Sequence, residues 1–138
     1  MFEHCLYFNT TALARSVERE WSTAFREFGL TPAQAFMLRN VLATPGILQS
    51  ALAESMAIAR PTATRALDAL ARSRMIVRRS TDGDGRQMAI HPTAQARAIA
   101  TRLDEASGKV AKRLKKRLGD REFRGLVDDI RSARSALE

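Results

Sequence analysis

A mainly α-helical chain with a single small β-hairpin is the fold class this sequence predicts, on three observations. Apolar residues recur at helical spacing through most of the 138 residues. That period breaks at residues 75–91, where two short β-prone runs flank a turn rich in Gly and Asp. Gly29, Pro45-Gly46, Pro61 and Gly119 punctuate the helical stretches.

Each element follows in order. Leu13, Val17, Trp21, Phe25 and Phe28 mark one face of a first helix, which Gly29 ends as a left-handed cap. Thr31 caps a second helix, and Pro32 occupies its first position, where the missing N–H costs nothing. This helix carries Phe36, Met37, Leu38, Val41 and Leu42 and stops at Pro45-Gly46. A third helix runs from Gln49 to about Met56 and buries Leu52, Ala53 and Met56. A tight connection, Ala57-Ile58-Ala59, leads to a fourth that begins near Arg60-Pro61, buries Ala63, Ala66, Leu67 and Leu70 and ends near Ser73. Residues 75–79 and 87–91 form the two strands of the hairpin. Thr93 caps a long helix on which Ile99, Leu103, Ala106, Val110 and Leu114 recur as far as about Leu118. Beyond Gly119-Asp120 a last helix presents Phe123, Leu126, Val127, Ile130, Ala133 and Leu137.

Charge is distributed unevenly. The net charge is +8, yet residues 1–59 hold 4 basic and 5 acidic side chains. Residues 60–86 hold 7 Arg against 3 Asp, and residues 87–138 hold 12 basic against 7 acidic. Positive charge therefore begins at Arg60, as a polyphosphate partner requires, because each neutralised phosphate releases condensed counterions. A solvated basic surface is the competing reading. The single cysteine, Cys5, excludes an internal disulfide framework and suits a reducing compartment. With no leader pattern and no long apolar run, a cytoplasmic location is expected. His4 and His91 lack metal-ligand spacing, and neither a phosphate loop nor a nucleophile elbow is present, so no enzyme activity, metal or cofactor is expected.

Helix, tight turn, helix and hairpin, in that order, make a winged helix-turn-helix. The second helix of such a pair enters the major groove with its N-terminal residues towards the bases. Here that end offers Arg60, Thr62, Thr64 and Arg65. Arg grips guanine O6 and N7 in a bidentate way, and Thr bonds a base or touches a thymine methyl. On the hairpin, Arg86 follows a Gly-rich turn that suits entry into a minor groove, with Asp84 placed to hold its guanidinium. Gln49 and Arg78 complete the candidate DNA contacts. The chain is read as one domain, 1–138, with a DNA-binding lobe at 32–91 and N- and C-terminal dimerisation helices at 1–28 and 94–138. Two copies packed through the apolar faces of those outer helices would place two fourth helices about one DNA turn apart.

These residues resemble the MarR family of transcriptional regulators over nearly the whole chain. Gly29-Leu30-Thr31-Pro32-Ala33-Gln34 is similar to the family's entry to its second helix, and Pro61-Thr62-Ala63-Thr64-Arg65 to the start of its recognition helix. Asp84-Gly85-Arg86 resembles the family's Asp-Xaa-Arg wing signature, and Pro92-Thr93 its Leu-Thr. Leu48, Arg74 and Ala96 depart from the pattern: they stand where a capping Ser or Thr, a Gly and a Gly are usual. The resemblance implies a homodimer on a pseudo-palindromic double-stranded operator, repression as the usual mode, and release by a small aromatic or lipophilic effector.

Three further readings accompany it. Trp21, Phe36 and Met37 line an effector cavity or simply pack the core. Cys5 is a peroxide- or redox-sensing thiol, as the resemblance suggests for this region, or a small apolar residue near the dimer interface. The dense run Lys109, Lys112, Arg113, Lys115, Lys116 and Arg117 touches flanking phosphates or is a solvated face. The alternative to sequence-specific regulation is a non-specific architectural DNA-binding protein, against which the onset of positive charge at the fourth helix argues.

Overall fold

The computed structural model describes residues 1–81 and 87–138. Helix α1 (Leu6–Phe25) passes into a short 3-10 turn (Arg26–Phe28) and is followed by α2 (Pro32–Ala43) and a two-residue strand, β1 (Ile47–Leu48). Next come α3 (Gln49–Met56), α4 (Arg60–Arg72), β2 (Ile76–Ser80) and β3 (Met88–Pro92), and the chain closes with α5 (Ala94–Leu118) and α6 (Asp120–Leu137).

The predicted punctuation fixes the helix ends. Gly29 takes φ 68, the left-handed value expected of it. Thr31 accepts from the Gln34 N–H while the Gln34 side chain accepts from the Thr31 N–H, a complete capping box. Thr93 accepts from the Ala96 N–H and donates to the Arg74 carbonyl at 2.7 Å, tying the start of α5 to the end of α4. Leu48 precedes α3 without a side-chain cap. Among the described residues, two other than glycine also adopt left-handed backbone, Ala57 at φ 54 between α3 and α4, and Arg74 at φ 61 after α4.

Among the described residues the sheet has three antiparallel strands in the order β1-β3-β2 rather than two. Ile47 pairs with Ile90 and Leu48 with Ala89, so β1 tethers the start of α3 to the hairpin. A two-residue strand is too short to carry any period. The hairpin strands each lie one residue later than predicted, with Arg78 opposite Ile90 and Ser80 opposite Met88.

Phe25, Met37, Leu38, Val41, Leu52, Leu67, Leu70, Ile90 and Leu103 are fully buried in one core that joins α1 to α5 and the sheet. Each such side chain contributes about 1.5–3 kcal/mol on burial. Met56, predicted buried, is only partly so, at the margin of that core. A polar cluster crosses the core's edge. Trp21 of α1 and Arg39 of α2 both donate to the Ser107 hydroxyl of α5 at 3.1 Å, and Arg39 also bonds Asp104 at 2.8 Å. Away from the core, Leu13 and Val17 of α1 and Leu126, Val127 and Ile130 of α6 are uncovered in the single chain, each about two-fifths exposed. Among the described residues no helix is long and apolar enough to cross a membrane.

Candidate nucleic-acid interface

The left-handed Ala57 turns the chain sharply enough for α4 to begin four residues after α3 ends. Behind α4, Ala63, Leu67 and Leu70 are buried against the core. In front, Arg60, Thr62, Thr64 and Arg65 are exposed together. All four residues of the sequence-predicted set are thus exposed. Its first turn has no side-chain cap, since Ala59 stands at the N-cap, and Pro61 has no N–H. That leaves backbone N–H groups at the positive end of the helix dipole.

Polar contacts order this face. Gln49, in the first turn of α3, donates its amide to the Thr64 hydroxyl at 3.3 Å, and that hydroxyl donates to the Arg60 carbonyl at 3.0 Å. Arg65 donates to the Thr62 hydroxyl at 3.4 Å. A cleft of about 450 Å³ opens between α3, α4 and the start of β3, with Gln49, Ser50, Arg60, Thr64, Gln87 and Met88 on its walls.

Arg78 stands differently from the other candidates. Its guanidinium donates to Asp68 of α4 at 2.6 Å, its side chain is only 25% exposed, and its Nε is buried with no protein partner among the described residues. It braces β2 against α4. The neighbouring Arg79 is exposed. Asp68 was not singled out from sequence, although an acidic residue on a helix bearing Arg60, Arg65 and Arg72 is a signal that could have found it. Asp84 and Arg86 lie outside the described residues.

The three effector-pocket candidates separate. Met37 is fully buried in the core. Trp21 is part-buried and held by Ser107. Phe36 is exposed, edge-on to Phe25 at 5.9 Å, and lies under the Arg39 guanidinium at 4.9 Å. It borders a groove of about 590 Å³ between α2 and α5, with Arg39, Asn40, Leu42, Ala100 and Asp104. Arg39 was missed by the sequence reading; it is the charged residue of the otherwise largely apolar α2. Cys5 is the N-cap of α1 and is exposed. Of the basic run, Arg113 and Arg117 pair with Glu20 of α1 and Lys115 lies over the Phe123 ring, whereas Lys109, Lys112 and Lys116 are exposed.

A helix-turn-helix whose second helix is braced to a β-hairpin, with long helices on both sides in sequence, defines the winged-helix class of regulators. Known proteins narrow this. A sequence model of the MarR family matches residues 28–87. A protein of Thauera aromatica, inferred to be the transcriptional regulatory protein for the hcr operon, is 30% identical over 112 residues, covering 75% of this chain and 68% of that protein. The transcriptional repressor CouR, solved on a 23-mer DNA duplex, is 25% identical with a TM-score of 0.87, covering 96% of this chain and 94% of its own. The PcaV regulator of Streptomyces coelicolor, solved with its natural ligand, shares the fold at 21% identity and a TM-score of 0.89, over 100% of this chain and 97% of its own. The chain belongs to the MarR family of transcriptional regulators.

Proposed function

We propose that the protein is a homodimeric repressor that binds a pseudo-palindromic operator through α3, α4 and the hairpin, and that a small aromatic or lipophilic effector releases it. The observation that carries this reading is the joint exposure of Arg60, Thr62, Thr64 and Arg65 on a helix whose other side is buried. Gln49 and, on sequence grounds alone, Asp84 and Arg86 are further DNA contacts in this reading, while Arg78 acts through Asp68. The lobe comprises residues 32–91; residues 1–28 and 94–138 supply the dimer. The uncovered apolar side chains of α1 and α6 support that assignment. CouR on DNA and PcaV with its ligand support the partners. The effector's place is the groove between α2 and α5, where the Phe36 ring offers a stacking face and Arg39 a cation.

Fluorescence anisotropy with a duplex from upstream of the protein's own coding region, against a scrambled duplex of equal length, tests the reading. A preference of about 10³ or more is expected. Equal affinity for both, with a steep dependence on salt, would make the protein a non-specific architectural one instead.

The exposure of Cys5 keeps a redox reading in view. In that case hydroperoxide weakens DNA binding by the native protein and leaves Cys5→Ser unaffected; equal loss in both removes the thiol from the mechanism.

A further inference from the structure

Thr64 lies on the exposed front of α4, and its hydroxyl is already engaged on the protein side. It donates to the Arg60 carbonyl and accepts the Gln49 amide. A hydroxyl has one proton and two lone pairs, so its donor is spent and half its accepting capacity is used. A β-branched side chain in a helix has few rotamers, so turning the oxygen outward would break both bonds together. What remains uncommitted among the described residues is one acceptor lone pair and the Cγ2 methyl, and of the two only the methyl is apolar. Thr62 contrasts with this. Its oxygen accepts from Arg65, and its own proton has no partner among the described residues. The two threonines therefore offer a duplex different chemistry: Thr62 keeps its donor, whereas Thr64 has none to give and presents a methyl beside a single acceptor lone pair.

We propose that Thr64 is a specificity-determining residue that reads the C5 methyl of a thymine in each half site, and that Gln49 is the positioning residue that keeps its hydroxyl turned into the protein. In the major groove the thymine methyl is the apolar group that distinguishes this base, and a threonine methyl is a fitting partner for it. The cleft beside Gln49 and Thr64 leaves room for a base edge to approach. The inference rests on the DNA-binding reading above.

Selection from a randomised duplex pool by the native protein supplies the probe, and each enriched thymine is then replaced singly by deoxyuridine, which removes only the methyl. One position per half site is expected to lose about four-fold in affinity, the value of one buried methyl group. Thr64→Val, which keeps the shape and lacks the hydroxyl, retains that thymine preference. Thr64→Ser, which keeps the hydroxyl and lacks the methyl, abolishes it. Gln49→Ala lowers the thymine-to-uracil ratio, a ratio that simple destabilisation leaves alone because it weakens both duplexes equally. The reverse pattern, with selectivity lost in Thr64→Val and kept in Thr64→Ser, overturns the methyl reading in favour of hydroxyl contact. A uracil scan with no sensitive position also overturns it, and an unchanged ratio in Gln49→Ala removes the positioning role. If no sequence is enriched at all, the DNA-binding reading itself fails.

Discussion

Arg74 adopts a conformation that an L-residue with a side chain rarely takes, φ 61, at the position where the family usually has glycine. The left-handed form crowds Cβ against the following carbonyl. Arg74→Gly is therefore expected to stabilise the fold by about 0.5–1 kcal/mol, partly offset by the freer unfolded chain. Urea melts would show this as a higher midpoint with an unchanged slope. A lower midpoint would mean that the arginine makes a contact worth more than its strain. We propose Arg65 as the main polar reader on α4: among the described residues its one hydrogen bond is the one that steadies it on Thr62. Arg65→Ala should weaken operator binding about ten- to a hundred-fold and leave affinity for scrambled DNA far less changed. Equal loss on both duplexes would reassign Arg65 to phosphate contact.

The hairpin is joined to the rest of the lobe by the β1–β3 pairing and by a polar brace from β2 to α4. Asp68 and Arg78 join α4 to β2 at 2.6 Å, and removing the carboxylate strands a part-buried guanidinium. Asp68→Ala should cost roughly 1 kcal/mol of stability, near the upper end for a part-exposed pair. It should also weaken operator binding beyond what that instability explains, as compared with an exposed control such as Asp128→Ala. Equal affinities for the two variants would show that the hairpin keeps its aim without the brace. Most elements were legible from sequence because their signals are local: Thr31 and Thr93 at caps, Gly29 at a left-handed end, and the four-three spacing on α5. What was not legible depends on partners distant in sequence. β1 exists only because Ile47 and Leu48 meet Ile90 and Ala89. The same holds for the site. Arg60 with Thr64, and Thr62 with Arg65, are neighbours by the four- and three-residue spacing of a helix, whereas the inward turn of Arg78 depends on where Asp68 comes to lie.

At the scale of the whole molecule, the proposed dimer rests on the uncovered side chains of α1 and α6. Ile130→Asp together with Leu126→Asp should yield a folded monomer by sedimentation, with operator affinity lost and the melting of the lobe retained. A dimer that survives both charges would move the interface elsewhere. We propose that the Arg39–Ser107–Trp21 cluster couples the two halves, since it bonds Arg39 of α2 to Trp21 of α1 through Ser107 of α5. Ser107→Ala leaves two part-buried donors without their acceptor and should blunt effector release of DNA more than it lowers DNA affinity, read as the ratio of operator affinities with and without a phenolic acid. A ratio equal to the native one would exclude this cluster from the coupling.

The order of these helices along the chain has a consequence for biosynthesis. The cover that α1 finds within its own chain is chiefly α5, and the contact from Trp21 reaches Ser107. On a translating ribosome, the segment between Phe25 and Ser107 takes roughly 4–16 s to make at ordinary elongation rates. For that interval α2 alone, through contacts such as Phe36 on Phe25, covers part of the first helix, and the flank that faces α5 waits for residues such as Ser107, made 86 positions after Trp21.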